Sequence, residues 1–285
     1  MKVKFLKSSF ASFFLLSAVI SANPAVAQTD SSGVVGDTFG DSNELRQKLM
    51  IDPILVPSEP PAAAPGSSAG TPSAYGASAG QAYVGGGGFI PLDDGYVDGS
   101  LSVGAGFGDP VKSVGVEVGV NLTSIGGQNF DLGDSGTVGV KVHKYLKDGT
   151  AVALGWSNPV KWGDAKGAKE TFYGVATKSF DLKPNDSKNK MPLTVSVGLG
   201  TGSFRSKGAI QDNENSVNLF GSAGLRVTPE AAIVTSWTGN SLNFGGSFAP
   251  FKKSPVVINA VVTDITNNLG NGSGLSISGG YSFKF

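Results

Sequence analysis

The sequence predicts an all-β protein: a closed, antiparallel, membrane-spanning β-barrel of about twelve strands behind a disordered N-terminal tail. Three observations predict it. The chain opens with an export address and has no later stretch long and apolar enough to be a transmembrane helix. From about residue 82 its apolar residues recur with period two. The face opposite those apolar residues is rich in Gly and Ser rather than in Lys and Glu.

The address comes first. Lys2, Lys4 and Lys7 form a positive n-region, Phe10 to Ile20 is an apolar run, and Ala25-Val26-Ala27 precedes Gln28. A charged start, a short apolar stretch and small residues at Ala25 and Ala27 make a secretory signal peptide over 1–27. The run is shorter than the ~20 residues a spanning helix requires. Cleavage takes three lysines and no acid from a chain of formal net charge zero. An exported chain that crosses a bilayer without such helices crosses it as a barrel, because only closed barrels otherwise satisfy every backbone polar group in lipid.

Residues 28–81 read as a flexible periplasmic tail. Pro57 to Gln81 is a low-complexity run of Pro, Ala, Gly and Ser that buries too little apolar surface to offset its ordering entropy. One island departs from it. Asp41 and Glu44 fit an N-terminal capping pattern, Leu45 and Leu49 share a side, and Pro53 ends the stretch, so a short helix is expected at 42–51.

The barrel is expected over 82–285. Val114, Val116, Val118, Val120 and Leu122 alternate with Gly115, Glu117, Gly119 and Asn121. Successive side chains of a strand point to opposite faces, so one face is aliphatic and the other small or polar. Val138, Val140 and Val142 against Gly139, Lys141 and His143 repeat the pattern, as do Leu193, Val195, Val197 and Leu199 against Thr194, Ser196, Gly198 and Gly200. A soluble sandwich also alternates, but it needs a charged solvent face, whereas a barrel lumen does not. Aromatics near strand ends (Tyr145, Trp156, Trp237 and Phe285) fit interfacial girdles.

Strands are expected near 99–108, 111–124, 136–146, 150–157, 170–181, 191–204, 215–227, 231–237, 241–249, 255–265 and 274–285. Bacterial single-chain barrels have even strand numbers, and residues 82–91 supply the twelfth. Its glycine run makes it weak by propensity, and ten strands is the alternative count. The tight connections at Asp109-Pro110, Lys147-Asp148-Gly149, Thr228-Pro229-Glu230 and Pro250 to Pro255 are expected to face the periplasm.

The last strand sets Leu275, Ile277, Tyr281, Phe283 and Phe285 against Ser276, Ser278, Gly280, Ser282 and Lys284. Its ending, Ile277 with Tyr281, Phe283 and a terminal Phe285, resembles the C-terminal signal of bacterial outer-membrane β-barrels. That resemblance implies recognition by the barrel-assembly machinery and a place in the outer membrane. Gly279 departs from the pattern, where a bulkier apolar residue is commoner. The segments Gly106 to Pro110, Gly136 to Lys144 and Asn218 to Arg226 resemble uncharacterised cyanobacterial secreted barrel proteins, over roughly residues 95–285.

Composition removes several functions. Lys+Arg and Asp+Glu are both 22, so no basic excess exists to neutralise nucleic-acid phosphates. Cysteine is absent and His143 is the only histidine, which excludes thiolate sites and multi-histidine metal sites. No phosphate-binding Gly loop occurs, and no cofactor is expected. Asp93, Asp94 and Asp98, and separately Asp212 and Glu214, cluster in loops, but without a calcium-loop pattern. No catalysis is expected: His143 has Tyr145, not Ser, beside it on its face.

The expected pore-lining residues are Glu117, Lys141, His143, Lys178 and Arg226, joined by Asn121, Asn218 and Asn243. Two readings of them stand: a mixed-charge lining that tunes permeation, and a packed internal network that pairs its charges. The expected role is a passive narrow pore for small solutes or a structural membrane barrel, with outer-membrane lipid as its surroundings. The alternatives are an adhesin or autotransporter-like surface barrel and a soluble secreted β-sandwich. Oligomeric state is open, since lipid-facing and subunit-facing aliphatic surfaces look alike.

Overall fold

The computed structural model describes residues 63–92, 97–123, 135–186, 189–251, 253–268 and 273–285. The expected signal peptide and its Ala25–Ala27 cleavage site, and the helix expected at 42–51, lie outside these residues, as do Asp93 and Asp94.

Twelve strands close into one barrel. They are β1 (Gln81–Pro91), β2 (Asp98–Gly108), β3 (Gly115–Leu122), β4 (Gly136–Tyr145), β5 (Thr150–Trp162), β6 (Thr171–Asp181), β7 (Pro192–Gly200), β8 (Asn218–Thr228), β9 (Ala231–Trp237), β10 (Leu242–Phe248), β11 (Val256–Thr263) and β12 (Gly274–Lys284). Each pairs antiparallel with its sequence neighbours, and β1 returns to β12. Closure runs without a break from Gln81 opposite Lys284 to Pro91 opposite Gly274. It removes both sheet edges, which would otherwise leave unpaired backbone groups. The count is twelve, not ten, because Gly85–Gly88 does form part of β1. Neighbours on both sides hold it: Gly86 lies opposite Gly279 of β12 and Leu101 of β2.

Alternation decides which face goes where. On β3, Gly115, Glu117, Gly119 and Asn121 are buried inside, and the valines face out. Around the outside, Val103, Leu154, Val197, Leu199, Ile233, Phe244 and Ile277 are exposed. A continuous apolar belt of this kind is stable against lipid and unfavourable in water. Phe107, Phe180, Phe248, Tyr281 and Phe283 sit on the outer face at the strand ends nearest the C-terminus. Toward the other end, Trp156 stacks on Phe172 with ring centroids 5.3 Å apart, and Trp237 ends β9. Tyr145 does not join these bands. It points into the barrel, where its hydroxyl donates to the Gly76 carbonyl at 2.7 Å.

The tight connections Asp109–Val114, Leu146–Gly149, Pro229–Glu230 and 249–255 share one end with both Gln81 and Phe285. At the Asp109 turn, the carboxylate accepts from the backbone N–H of Val111 at 2.9 Å and of Lys112 at 3.0 Å. At the opposite end, the connection between β7 and β8 carries a short helix, α1 (Lys207–Gln211), capped by the Ser206 side chain.

Candidate functional site

The lumen gathers buried polar and charged side chains, and it is occupied by the chain itself. Residues 63–77 are all buried. The reading of 28–81 as a flexible tail is therefore corrected for residues 63–80, which run inside the barrel. A small eight-strand barrel is filled by its own side chains, but twelve strands enclose more room. Here a polypeptide segment takes up that room.

The path follows from its contacts. Ala63 packs against Ala249 and Val257 at the end that carries Gln81 and Phe285. The Gly66 N–H donates to Ser247 Oγ at 2.6 Å. Farther in, the Ala69 carbonyl accepts from Ser236 Oγ and from Asn243 Nδ2. The segment then crosses to the β4–β6 side, where the Ala74 N–H donates to Thr177 Oγ1 at 2.8 Å. Tyr75 packs there among Ala151, Ala153 and Tyr173, and its hydroxyl donates to the Gly149 carbonyl at 2.7 Å. The way out passes Ala79, whose N–H donates to the Gly108 carbonyl at 2.8 Å, and Gly80, whose carbonyl accepts from Phe285 N–H at 2.9 Å. Entry and exit thus lie at the same end.

Two of the expected lumen charges meet within this arrangement. Register places Glu117 directly opposite Lys141 on β3 and β4. Their side chains are 1% and 0% exposed, with Lys141 Nζ 3.5 Å from Glu117 Oε2. A buried pair is tolerable only when its remaining valences are satisfied. The inner segment supplies two of these partners. Lys141 Nζ donates to the Tyr75 carbonyl at 2.7 Å, and Glu117 Oε2 accepts from the Ala77 N–H at 2.8 Å. The Tyr83 hydroxyl reaches Glu117 Oε1 at 3.4 Å.

His143 faces inward beside them, as the alternation required. It is wedged between Gly76 of the segment and Gly115 of the wall. A β-carbon on Gly76 would come within 2.8 Å of His143 Cε1, and one on Gly115 within 2.5 Å of Nε2. Arg226 faces inward near the terminal end of β8, at a register irregularity between Arg226 and Thr228. Lys178 does not line the lumen. On β6 the inner face is Thr171, Tyr173, Val175, Thr177 and Ser179, so Lys178 points out beside Phe180, with Nζ 5.5 Å from that ring's centroid. Its long stem lets the charge reach the interface while the methylenes lie on the apolar belt. Asn121, Asn218 and Asn243 are on the inner face. The C-terminal residues Ile277, Tyr281, Phe283 and Phe285 are on the outside.

The opposite end is narrowed by a second intrusion that the sequence pattern did not reveal. Phe204, in the β7–β8 connection, is fully buried. It stacks on Phe220 at 4.1 Å and meets Tyr173 edge-on at 5.9 Å. Asn240 Nδ2 holds the neighbouring backbone by donating to the carbonyls of Ser203 and Arg205 at 3.3 and 3.0 Å. Asp212 and Glu214 are exposed in that connection. No group of three or more His, Cys, Asp or Glu side chains that could hold a metal is found among the described residues.

No protein-family model matches the chain, and no curated protein does. Solved structures with a similar architecture are bacterial outer-membrane proteins. Omp33 of Acinetobacter baumannii is 10% identical, with a TM-score of 0.38, over 71% of this chain and 98% of that one. The NanC porin is 13% identical, with a TM-score of 0.41, over 71% of this chain and all of that one. An engineered Rhodopseudomonas blastica porin is 11% identical, with a TM-score of 0.35, over 71% and 99%. At such identities and scores the likeness says nothing of function, and the barrel stands on its own strand pairing.

Proposed function

We propose that this chain is an outer-membrane β-barrel offering a narrow passive path to small solutes, its lumen constricted by its own residues 63–80. The observation that carries the reading is the division of faces. An unbroken apolar belt lies outside a closed barrel, and Glu117, Lys141, His143 and hydroxyl-bearing side chains lie inside. Such a surface belongs in lipid, and the signal peptide and the C-terminal strand favour the bacterial outer membrane. The short-turn end would then face the periplasm, and Ile277, Tyr281, Phe283 and Phe285 would present the strand recognised by the assembly machinery. The finer resemblance to cyanobacterial secreted barrels rests on the three segments quoted above. No catalytic step is assigned to His143 or to any other group.

Reconstitution tests the function. Purified protein refolded into liposomes should pass small ions while excluding sugars, read as potassium chloride conductance without swelling in an isotonic sugar. Rapid swelling in oligosaccharides would contradict a constricted lumen. A silent bilayer containing folded barrels would leave the structural role in place of the pore.

A further inference from the structure

The polar side chains of the wall address the main chain of the inner segment; Tyr75, whose hydroxyl donates to the Gly149 carbonyl, adds a side-chain hydrogen bond of its own to the wall. Ser247 and Thr177 accept from the N–H groups of Gly66 and Ala74, and Glu117 accepts from that of Ala77. Ser236, Asn243 and Lys141 donate to the carbonyls of Ala69 and Tyr75. Recognition of this kind reads the backbone of a bent, doubled-back segment and favours small side chains, Tyr75 being the one large exception. The segment Ala63 to Gly80 satisfies that demand: it holds no charged residue, and Tyr75 is its sole aromatic. The hydroxyls of Ser67, Ser68, Thr71 and Ser73 are buried without a protein hydrogen-bond partner, so those side chains add little hold.

The wall is also shaped to fit. A β-carbon at Gly224 on β8 would lie 2.6 Å from Ser67 Cα, and one at Gly106 on β2 would strike the Ala77 backbone. Any other residue at these two wall positions would exclude the segment from its present course. Both ends of the segment leave by the same mouth, near Ala249 and near Gly108. It can therefore withdraw as a loop, without threading a chain end through the barrel.

We infer that the lumen is a binding site for a looped, uncharged peptide of mostly small residues, and that residues 63–80 occupy it as a tethered, reversible plug. The inference rests on the pore reading above for its consequence, closure of the path. The site itself rests on the contacts alone.

The test uses the full chain, which has no cysteine of its own. A β-carbon at Gly66 would lie 3.8 Å from Ser247 Cβ, a disulfide-compatible separation. The Gly66→Cys/Ser247→Cys protein should therefore cross-link on oxidation inside a barrel whose gel mobility still shifts on heating. Oxidised, it should lose its channel openings in planar bilayers, and dithiothreitol should restore openings to the same protein. A second variant displaces the plug from the segment side: Gly76→Leu, which runs into His143, should raise the open fraction several-fold. A synthetic peptide of residues 63–80 should lower it again, and a peptide carrying Lys in place of Ala69 and Ala74 should not.

Absence of the cross-link in a heat-modifiable barrel would overturn the proposal. So would equal conductance of the oxidised and reduced protein while Gly76→Leu conducts. If the cross-link forms and no variant conducts in any state, the pore reading fails. Binding of a fluorescent 63–80 peptide to Gly76→Leu barrels then supports the site, and no binding overturns it.

Discussion

Lys141 and Glu117 face each other across β3 and β4 inside the barrel, their charged atoms 3.5 Å apart, and each also grips the backbone of the segment that fills the lumen. One ion pair thus ties two strands and the inner segment together. Removing either partner leaves the other charge buried and unpaired, which typically costs about 3–5 kcal/mol. Glu117→Gln and Lys141→Met should each lower stability by roughly that amount in urea unfolding from detergent or lipid. The double variant should cost clearly less than the two single losses together. Additive losses would show that the pair is not coupled.

The lipid belt makes a different prediction. Leu154 is 70% exposed on the outer face of β5. Leu154→Arg should destabilise the bilayer-embedded barrel by about 2–4 kcal/mol if that position lies near the midplane. The neighbouring inward position, Ala153, is buried against Tyr75 and Tyr173, so Ala153→Arg should instead expel the inner segment. Protease added from the side that carries Phe285 would read that as cleavage within 63–80. Leu154→Arg without a cost would contradict the membrane placement.

Charge reversal separates the residues that face the lumen from the one that does not. Arg226→Glu lies on the inner face and should shift the reversal potential toward cations in bilayer recordings. Lys178→Glu points outward beside Phe180 and should leave selectivity unchanged. A shift with Lys178→Glu and none with Arg226→Glu would reverse the assignment of faces on β6 and β8.

The Asp109 turn carries a pH dependence. The backbone N–H of Lys112, and that of Val111, hold its carboxylate below the usual carboxylate range. A carboxyl depressed on folding adds stability above its unfolded value, about 3.9, and loses that contribution as pH falls through the lower folded value. Asp109→Asn should therefore be slightly less stable than the wild-type protein at neutral pH. The gap should close in strong acid. A gap that persists there would point to lost packing instead of lost charge.

Most of the barrel was legible because its physics is local. Period two marks the faces of a strand wherever one face is apolar, and β9 (Ala231–Trp237) falls on the expected boundaries. Glu117, Lys141 and His143 follow from parity alone. Lys178 was misplaced because β6 carries apolar residues on both faces: Phe172, Ala176 and Phe180 outside, Tyr173 and Val175 inside. Its parity was therefore ambiguous. Tyr145 was misread because an aromatic at a strand end resembles a girdle residue, although its parity with Lys141 and His143 pointed inward.

The fate of residues 63–80 was illegible for a deeper reason. Their composition is that of a disordered linker, and what orders them lies far away in the chain. Ser247 holds Gly66 across 181 residues, and Asn243 holds Ala69 across 174. Low complexity marks a segment that cannot build a core of its own. It does not mark one that another part of the chain has shaped a lumen to receive. Tyr75, the lone aromatic in that segment, was the available hint.

Heat modifiability with fractionation tests the central claim most directly. The protein should remain with outer membranes after washing and leave them only with detergent. On SDS gels it should migrate differently before and after boiling, because a closed twelve-strand barrel resists the detergent until heated. A protein that appears in the aqueous fraction and runs identically with and without boiling would contradict a membrane barrel and favour a secreted sandwich.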